Sequence, residues 1–392
     1  MIFESIRRVR ALQAPNAVAK GRFYASISRL KASPEQLAVV KWLKTHNVIV
    51  SARPGAGKTA AAEVLVRENP NMPIAVITYS RRLRLDTKER LEGYQGVETY
   101  TFHGLAGHLF GRTIRNDTDL IMERSRRSIP HIDNFLKYRY IVLDEIQDLT
   151  DDLYWLASTF IASLARRRGG QSPRILALGD SRQAIYDFRG ADPRFLEQAD
   201  TIFRAVSPYD WKHLPLHQSF RLSRPTADFI NNGFLGGEPY LVGTGDGPKP
   251  LYIRADLTDT KDLSDFLRDY IQHYGAENCA ILSPSVRNKG SHHYLGELTN
   301  HLSRSGIRVS VSVYDDAPLD EDVIRGKLVV SSYHQFKGSE RDLVIVFGAD
   351  DSWFEWFGRH YADDSCPNAV FVALTRARKQ VLGSPSIRLD CV

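Results

Sequence analysis

The sequence predicts an α/β protein made of two units, each with a parallel sheet, and three observations carry that prediction. Asn47 to Ser51, with Val48, Ile49 and Val50 at its centre, is a short apolar run of the kind that a strand buried on both faces shows. It feeds Ala52-Arg53-Pro54-Gly55-Ala56-Gly57-Lys58-Thr59, after which Ala60 to Leu65 reads as a helix. Further along, Ala280-Ile281-Leu282, Val329-Val330-Ser331 and Leu343 to Phe347 read as buried strands that alternate with helical stretches at 259–272 and 291–305, a second βαβ series.

Composition narrows the classes. The chain has 392 residues, 43% hydrophobic and 25% charged, the profile of a globular protein with material for about two to three domains. No apolar run approaches a membrane span, so no membrane partner is expected. The three cysteines, Cys279, Cys366 and Cys391, lie far apart without metal-ligand spacing, which argues against structural zinc and against a disulfide framework.

The positive charge is concentrated at the start. Arg7, Arg8, Arg10, Lys20, Arg22, Arg29 and Lys31 face Glu4 alone within residues 1–32, and that net of +6 equals the formal charge of the whole chain. Residues 33–392 therefore balance at zero. An arginine-rich, serine-bearing segment nearly free of acid, with a basic amphipathic turn at Ile6 to Leu12, reads as a mitochondrial presequence. Arg22-Phe23-Tyr24-Ala25-Ser26 resembles an arginine-containing cleavage site. The plainer readings are a basic tail on a nuclear or cytoplasmic protein, or an arm that touches nucleic acid.

Strand, glycine loop, Gly-Lys-Thr and helix is the context that a phosphate-binding loop requires. Backbone amides and the helix N-terminus face the phosphates, Lys58 reaches the β and γ groups, and Thr59 holds Mg²⁺. The alternative is an ordinary glycine-rich strand-to-helix turn. Upstream, Ser33-Pro34-Glu35-Gln36 opens a helix running to about Thr45, and Ser33 with Gln36 satisfies a capping box. Gln36 thus has a structural role available before any functional one.

Further motifs follow in order. Thr78-Tyr79-Ser80 closes a strand begun at Pro73, and Thr101-Phe102-His103-Gly104 comes next. Ile141-Val142-Leu143-Asp144-Glu145-Ile146-Gln147-Asp148 precedes Leu178 to Ala191, which contains Gln183-Ala184-Ile185-Tyr186-Asp187-Phe188-Arg189-Gly190-Ala191. His217-Gln218-Ser219-Phe220-Arg221, Ser332 to Glu340 and Phe371-Val372-Ala373-Leu374-Thr375-Arg376-Ala377-Arg378 complete the series. Singly, each has an ordinary reading as a helix cap, a surface cation or a core aromatic. Jointly, from residue 33 to about 380, they resemble the UvrD/Rep/PcrA group of superfamily 1A helicases.

That resemblance implies two RecA-like P-loop NTPase domains, at 33–210 and 211–392. It also implies a small helical 1B-like element at about 105–139 and no large 2B insertion, because only about a hundred and ten residues separate Arg221 from Ser332. ATP and Mg²⁺ are the implied cofactors. Thr59 and Asp144 would hold the metal, Glu145 would orient the attacking water, and Gln183 would sense the γ-phosphate. Lys58, Arg221 and Arg376 would stabilise transition-state charge. Gln36 would read adenine and Phe220 would stack on it, with residues 52–59 and Glu340 completing the nucleotide site.

The resemblance also implies sequence-independent binding of single-stranded DNA or a tailed duplex. Tyr79, Tyr186 and Phe188 would stack on bases, with Thr101, His103, Arg189 and His334 near the strand. Trp353, Phe354, Trp356 and Phe357 read as core or as a protein-partner surface on a monomer, and Val381 to Leu389 as a short hairpin. The implied activity is 3′-to-5′ translocation or unwinding. The alternatives are a regulatory module without turnover and a one-domain P-loop kinase.

Overall fold

The structure is a computed structural model that describes residues 31–133, 135–253, 260–286, 294–312, 319–350, 353–354 and 366–384. The presequence reading at 1–32, residues Trp356 and Phe357, and residues 385–389 of the expected hairpin lie essentially outside them.

The first sheet is fully parallel and contains β1 (Asn47–Ala52), β2 (Ile74–Thr78), β3 (Val97–Thr101), β4 (Tyr140–Asp144), β5 (Arg174–Gly179) and β6 (Trp211–Leu216), in the order β3-β2-β4-β5-β1-β6. Strands β2 and β4 are buried along their whole length, as continuous Val/Ile/Leu runs in a sheet covered on both faces must be. Buried Asn47 ties three segments at the base of β1. Its Oδ1 accepts from the Ile175 amide at 2.8 Å and from the Ser207 hydroxyl at 3.1 Å.

The helix before β1 spans Pro34–Leu43, with both bonds of the expected Ser33/Gln36 capping box in place. After β3 come the helices Phe102–Phe110 and Asp117–Ser125.

The boundary expected at 210/211 is corrected. Trp211–Leu216 pairs in parallel with β1 along six registered positions, so the first unit includes β6 and the chain crosses over only after Leu216. A single strand of alternating exposure beside a glycine-rich loop leaves no composition shift to mark the change.

The second sheet is also parallel. It contains β9 (Leu251–Tyr252), β10 (Cys279–Ser283), β11 (Val309–Val311), β12 (Leu328–Ser332), β13 (Arg341–Phe347) and β14 (Ala377–Ser384), in the order β11-β12-β10-β13-β14-β9. A separate parallel pair joins β7 (Gln218–Ser223) to β8 (Val242–Gly245). The helices Thr260–Tyr274 and Tyr294–Arg304 fall on the helical stretches expected at 259–272 and 291–305, as far as the described residues extend.

The hairpin expected at Val381–Leu389 is corrected for its described part. Val381 to Ser384 belong to β14, buried between β13 and β9, because an apolar run flanked by two partners is worth more as an interior strand than as a surface loop. Trp353 is buried in the core of the second unit with Phe354 packed against it, so these two residues are core rather than a partner surface.

Candidate nucleotide cleft and strand-binding track

The loop after β1 takes its shape from two glycines. Gly55 and Gly57 have φ of 73° and 83°, a region open to glycine at little cost. At Gly55 space is as strict as angle, since a Cβ there would lie 2.5 Å from Cβ of Arg221. The Phe220 amide donates to the Gly55 carbonyl at 2.9 Å, so β7 is docked directly on the loop.

Between the two units lies a cavity of about 390 Å³. Its wall includes Arg53, Gly55, Ala56, Gly57, Lys58, Thr59, Glu145, Gln183, Phe220, Arg221, Glu340 and Arg376. Most of the expected nucleotide residues therefore converge on one space. Ala52 and Pro54 are buried beneath it and are not part of that wall. Gln36 is also set apart, 4% exposed, with Oε1 accepting from the Ser33 amide at 3.0 Å and Nε2 donating to the Gly57 carbonyl at 3.4 Å. It braces the loop from behind rather than facing the cavity.

The charges in the cleft are matched closely. Lys58 Nζ lies 3.2 Å from Glu145 Oε1, and Gln147 Nε2 donates to Glu145 Oε2 at 2.6 Å. Burial opposes the Lys58 charge, but Glu145, Asp144 and Asp180 outweigh it and hold the ammonium above its ordinary value. Burial likewise opposes the Glu145 charge, and Lys58 with Lys337 pulls its pKa down. Burial and the adjacent Glu145 push Asp144 the other way, upward. Glu145 also sits at φ 57°, unusual for a residue with a side chain, at the turn where β4 ends.

Buried Asp144 and the Thr59 hydroxyl at the head of the helix Lys58–Glu68 offer hard oxygen donors, the kind that suits Mg²⁺ beside a nucleotide. A divalent cation there would reverse the raised pKa of Asp144.

The second unit supplies the arginines. Arg221 pairs with Glu340 at 2.6 Å, and Arg376 Nη2 donates to Gln183 Oε1 at 2.9 Å. Burial, with Arg221 nearby, lowers Arg376 to about 9. A strong anion in the cavity would stabilise its charge.

Away from the cavity, aromatic residues form a ledge. Tyr79 and Tyr186 stack with centroids 5.7 Å apart, and the Tyr186 hydroxyl donates to the His334 carbonyl at 3.1 Å. Phe188 is 59% exposed and meets His334 edge-on at 5.2 Å, with Arg189 5.5 Å from its ring. Tyr186 thus supports the ledge and Phe188 presents the open face. His103 Nε2 lies 2.9 Å from Asp117 Oδ1. Thr101 caps the helix Phe102–Phe110 through the Gly104 amide at 3.0 Å, an ordinary structural use of that hydroxyl.

Three groups escaped notice in the sequence. Lys337 and Asp148 pair across the units at 2.6 Å, and Tyr240 sits under the Arg53 guanidinium at 3.5 Å while donating to Asp180 Oδ1 at 2.7 Å. Asp148 and Lys337 stood inside recognised motifs, where a buried acid and a buried lysine in separate units were the available signal. Tyr240 stood in no motif.

Residues 35–189 match the family described as AAA domain. Over 157 residues the chain is 25% identical to DNA helicase II of Haemophilus influenzae, a stretch covering 37% of this chain and 19% of that protein. The chain thus matches about a fifth of that relative's length. The structure of DUF1998 helicase MrfA bound to DNA is similar in fold, with 10% identity, 92% of this chain and 47% of that chain covered, and a TM-score of 0.50. PRRSV helicase gives 13% identity over 90% of this chain and 54% of that one, with a TM-score of 0.43. At 10% identity the likeness to the MrfA structure concerns fold alone.

Proposed function

We propose that this chain, whose residues 35–189 match the family described as AAA domain, is a UvrD/Rep-like, ATP-dependent motor on single-stranded DNA that moves 3′ to 5′. One observation carries the reading: Lys58, Glu145 and Gln183 of the first unit meet Arg221 and Arg376 of the second around a single cavity. Hydrolysis of a phosphoanhydride by water needs an oriented nucleophile and neutralised γ-phosphate charge, and these five residues are of the types that supply both.

In this reading Glu145 orients and deprotonates the attacking water, while Lys58, Arg221 and Arg376 meet the charge that develops on the γ-phosphoryl oxygens. Gln183 reports the γ-phosphate to Arg376 through the contact already present between them. Magnesium held by Asp144 and Thr59 would neutralise the β- and γ-phosphate oxygens. Phe220, 56% exposed at the cavity wall, is the stacking face for the base. Because two arginines lie on the far unit, efficient turnover requires a closed cleft, and each closure becomes a step along the strand.

The ledge of Tyr79, Tyr186 and Phe188, with His103, Arg189 and His334, is the proposed strand track. Stacking on it is independent of sequence because every base has a π-face. Residues 1–32 are proposed to direct the protein to mitochondria. ATP hydrolysis measured with and without single-stranded DNA tests the motor reading.

A further inference from the structure

Lys337 stands at the junction of the cleft and the ledge. Its Nζ lies 2.7 and 2.6 Å from the two carboxylate oxygens of Asp148 and donates to the Gln183 carbonyl. The same ammonium is 4.7 Å from the centre of the Tyr186 ring. Both side chains of the pair are buried, 7% and 1% exposed, although one comes from each unit.

Each contact leads to a different part of the proposed machinery. Asp148 follows Glu145 by three residues, and its amide donates to the Glu145 carbonyl at 3.0 Å. Gln183 holds Arg376 with its side chain while its backbone holds Lys337. Tyr186 carries Tyr79. Lys337 is not part of the cavity wall, so no nucleotide atom need touch it.

Resting on the motor reading above, we propose that the Lys337–Asp148 pair is the positioning element that couples the strand track to the cleft, holding the units closed with Gln183 against Arg376. A buried ion pair is weak evidence for stability, since hydrophobic replacements of both partners are often neutral, whereas loss of one partner leaves an uncompensated buried charge. Its use here is registry: one lysine fixes Asp148, Gln183 and Tyr186 relative to one another. When the units separate, all three contacts are lost together.

The test compares Lys337→Met with the double variant Asp148→Asn plus Lys337→Met, using melting temperature, basal and strand-stimulated hydrolysis, and energy transfer between dyes at exposed Lys44 and Arg325. The single variant should melt lower. The double variant should recover most of that loss, yet the ratio of strand-stimulated to basal hydrolysis should fall by about 5- to 150-fold, the usual span of coupling between sites. Closure on adding ATP and strand should be lost with it. A double variant that keeps both stimulation and closure overturns the proposal and leaves the pair a packing feature. If the unmodified protein shows no strand stimulation, the motor reading fails. The pair is then still judged by nucleotide-driven closure, whose persistence in the double variant overturns it.

Discussion

Arg376 and Gln183 meet across the cleft, the guanidinium donating to the amide oxygen at 2.9 Å, with Arg376 only 3% exposed. The contact joins β14's approach in one unit to the end of β5 in the other. Arg376→Ala should therefore abolish strand-stimulated hydrolysis, by about 10³- to 10⁵-fold as for other cationic fingers, while ATP affinity changes far less. Equilibrium binding of a fluorescent ATP analogue beside turnover checks this. An affinity loss as severe as that of Lys58→Ala would place Arg376 in ground-state binding instead.

Glu145 is paired with Lys58 and Gln147, so Glu145→Gln removes its charge and basicity while nearly preserving its shape. ATP and single-stranded DNA should still bind, and turnover should fall by about 10²- to 10⁴-fold, the usual worth of a positioned base. Single-turnover hydrolysis with radiolabelled ATP measures it, and unchanged turnover removes Glu145 from the catalytic role.

Phe188 and Tyr186 should separate cleanly. Exposed Phe188 offers its face to a base, so Phe188→Ala should weaken strand binding by about 1–3 kcal/mol and leave basal hydrolysis intact. Tyr186 is stacked on Tyr79 and bonded to His334, so Tyr186→Ala should also lower the melting temperature. Strand titrations by anisotropy, with thermal melts of both variants, decide. Loss of basal hydrolysis in Phe188→Ala would contradict a track separate from the cleft.

Residues 1–32, fused to a fluorescent reporter, should carry it into mitochondria, since all of the chain's net positive charge lies there. A reporter that stays in the cytosol or enters the nucleus would leave the segment as a basic tail.

Much of this was legible in the sequence because parallel sheets write themselves as apolar runs. Val48 to Val50, Ile141 to Leu143 and Ala280 to Leu282 are each continuous and each buried. Local chemistry was equally readable, as with the Ser33/Gln36 capping box. Trp211–Leu216 was not, because its exposure alternates and only its pairing with Asn47–Ala52 assigns it to the first sheet. Gln36 and Tyr240 show the same limit at the site. Sequence spacing could put Gln36 near the loop, but not tell that Ser33 and Gly57 occupy its amide. Nothing in the spacing links Tyr240 to Arg53 and Asp180, which the fold brings to it from distant parts of the chain.

Whether a two-unit ATP cleft drives movement along single-stranded DNA is read from ATP hydrolysis by protein lacking residues 1–32, with and without single-stranded DNA, paired with displacement assays on duplexes carrying 3′ or 5′ tails. A motor of this kind should show hydrolysis strongly stimulated by the strand and displacement, where it occurs, from the 3′-tailed substrate. Hydrolysis indifferent to the strand, or displacement from the 5′-tailed substrate alone, rules such a motor out.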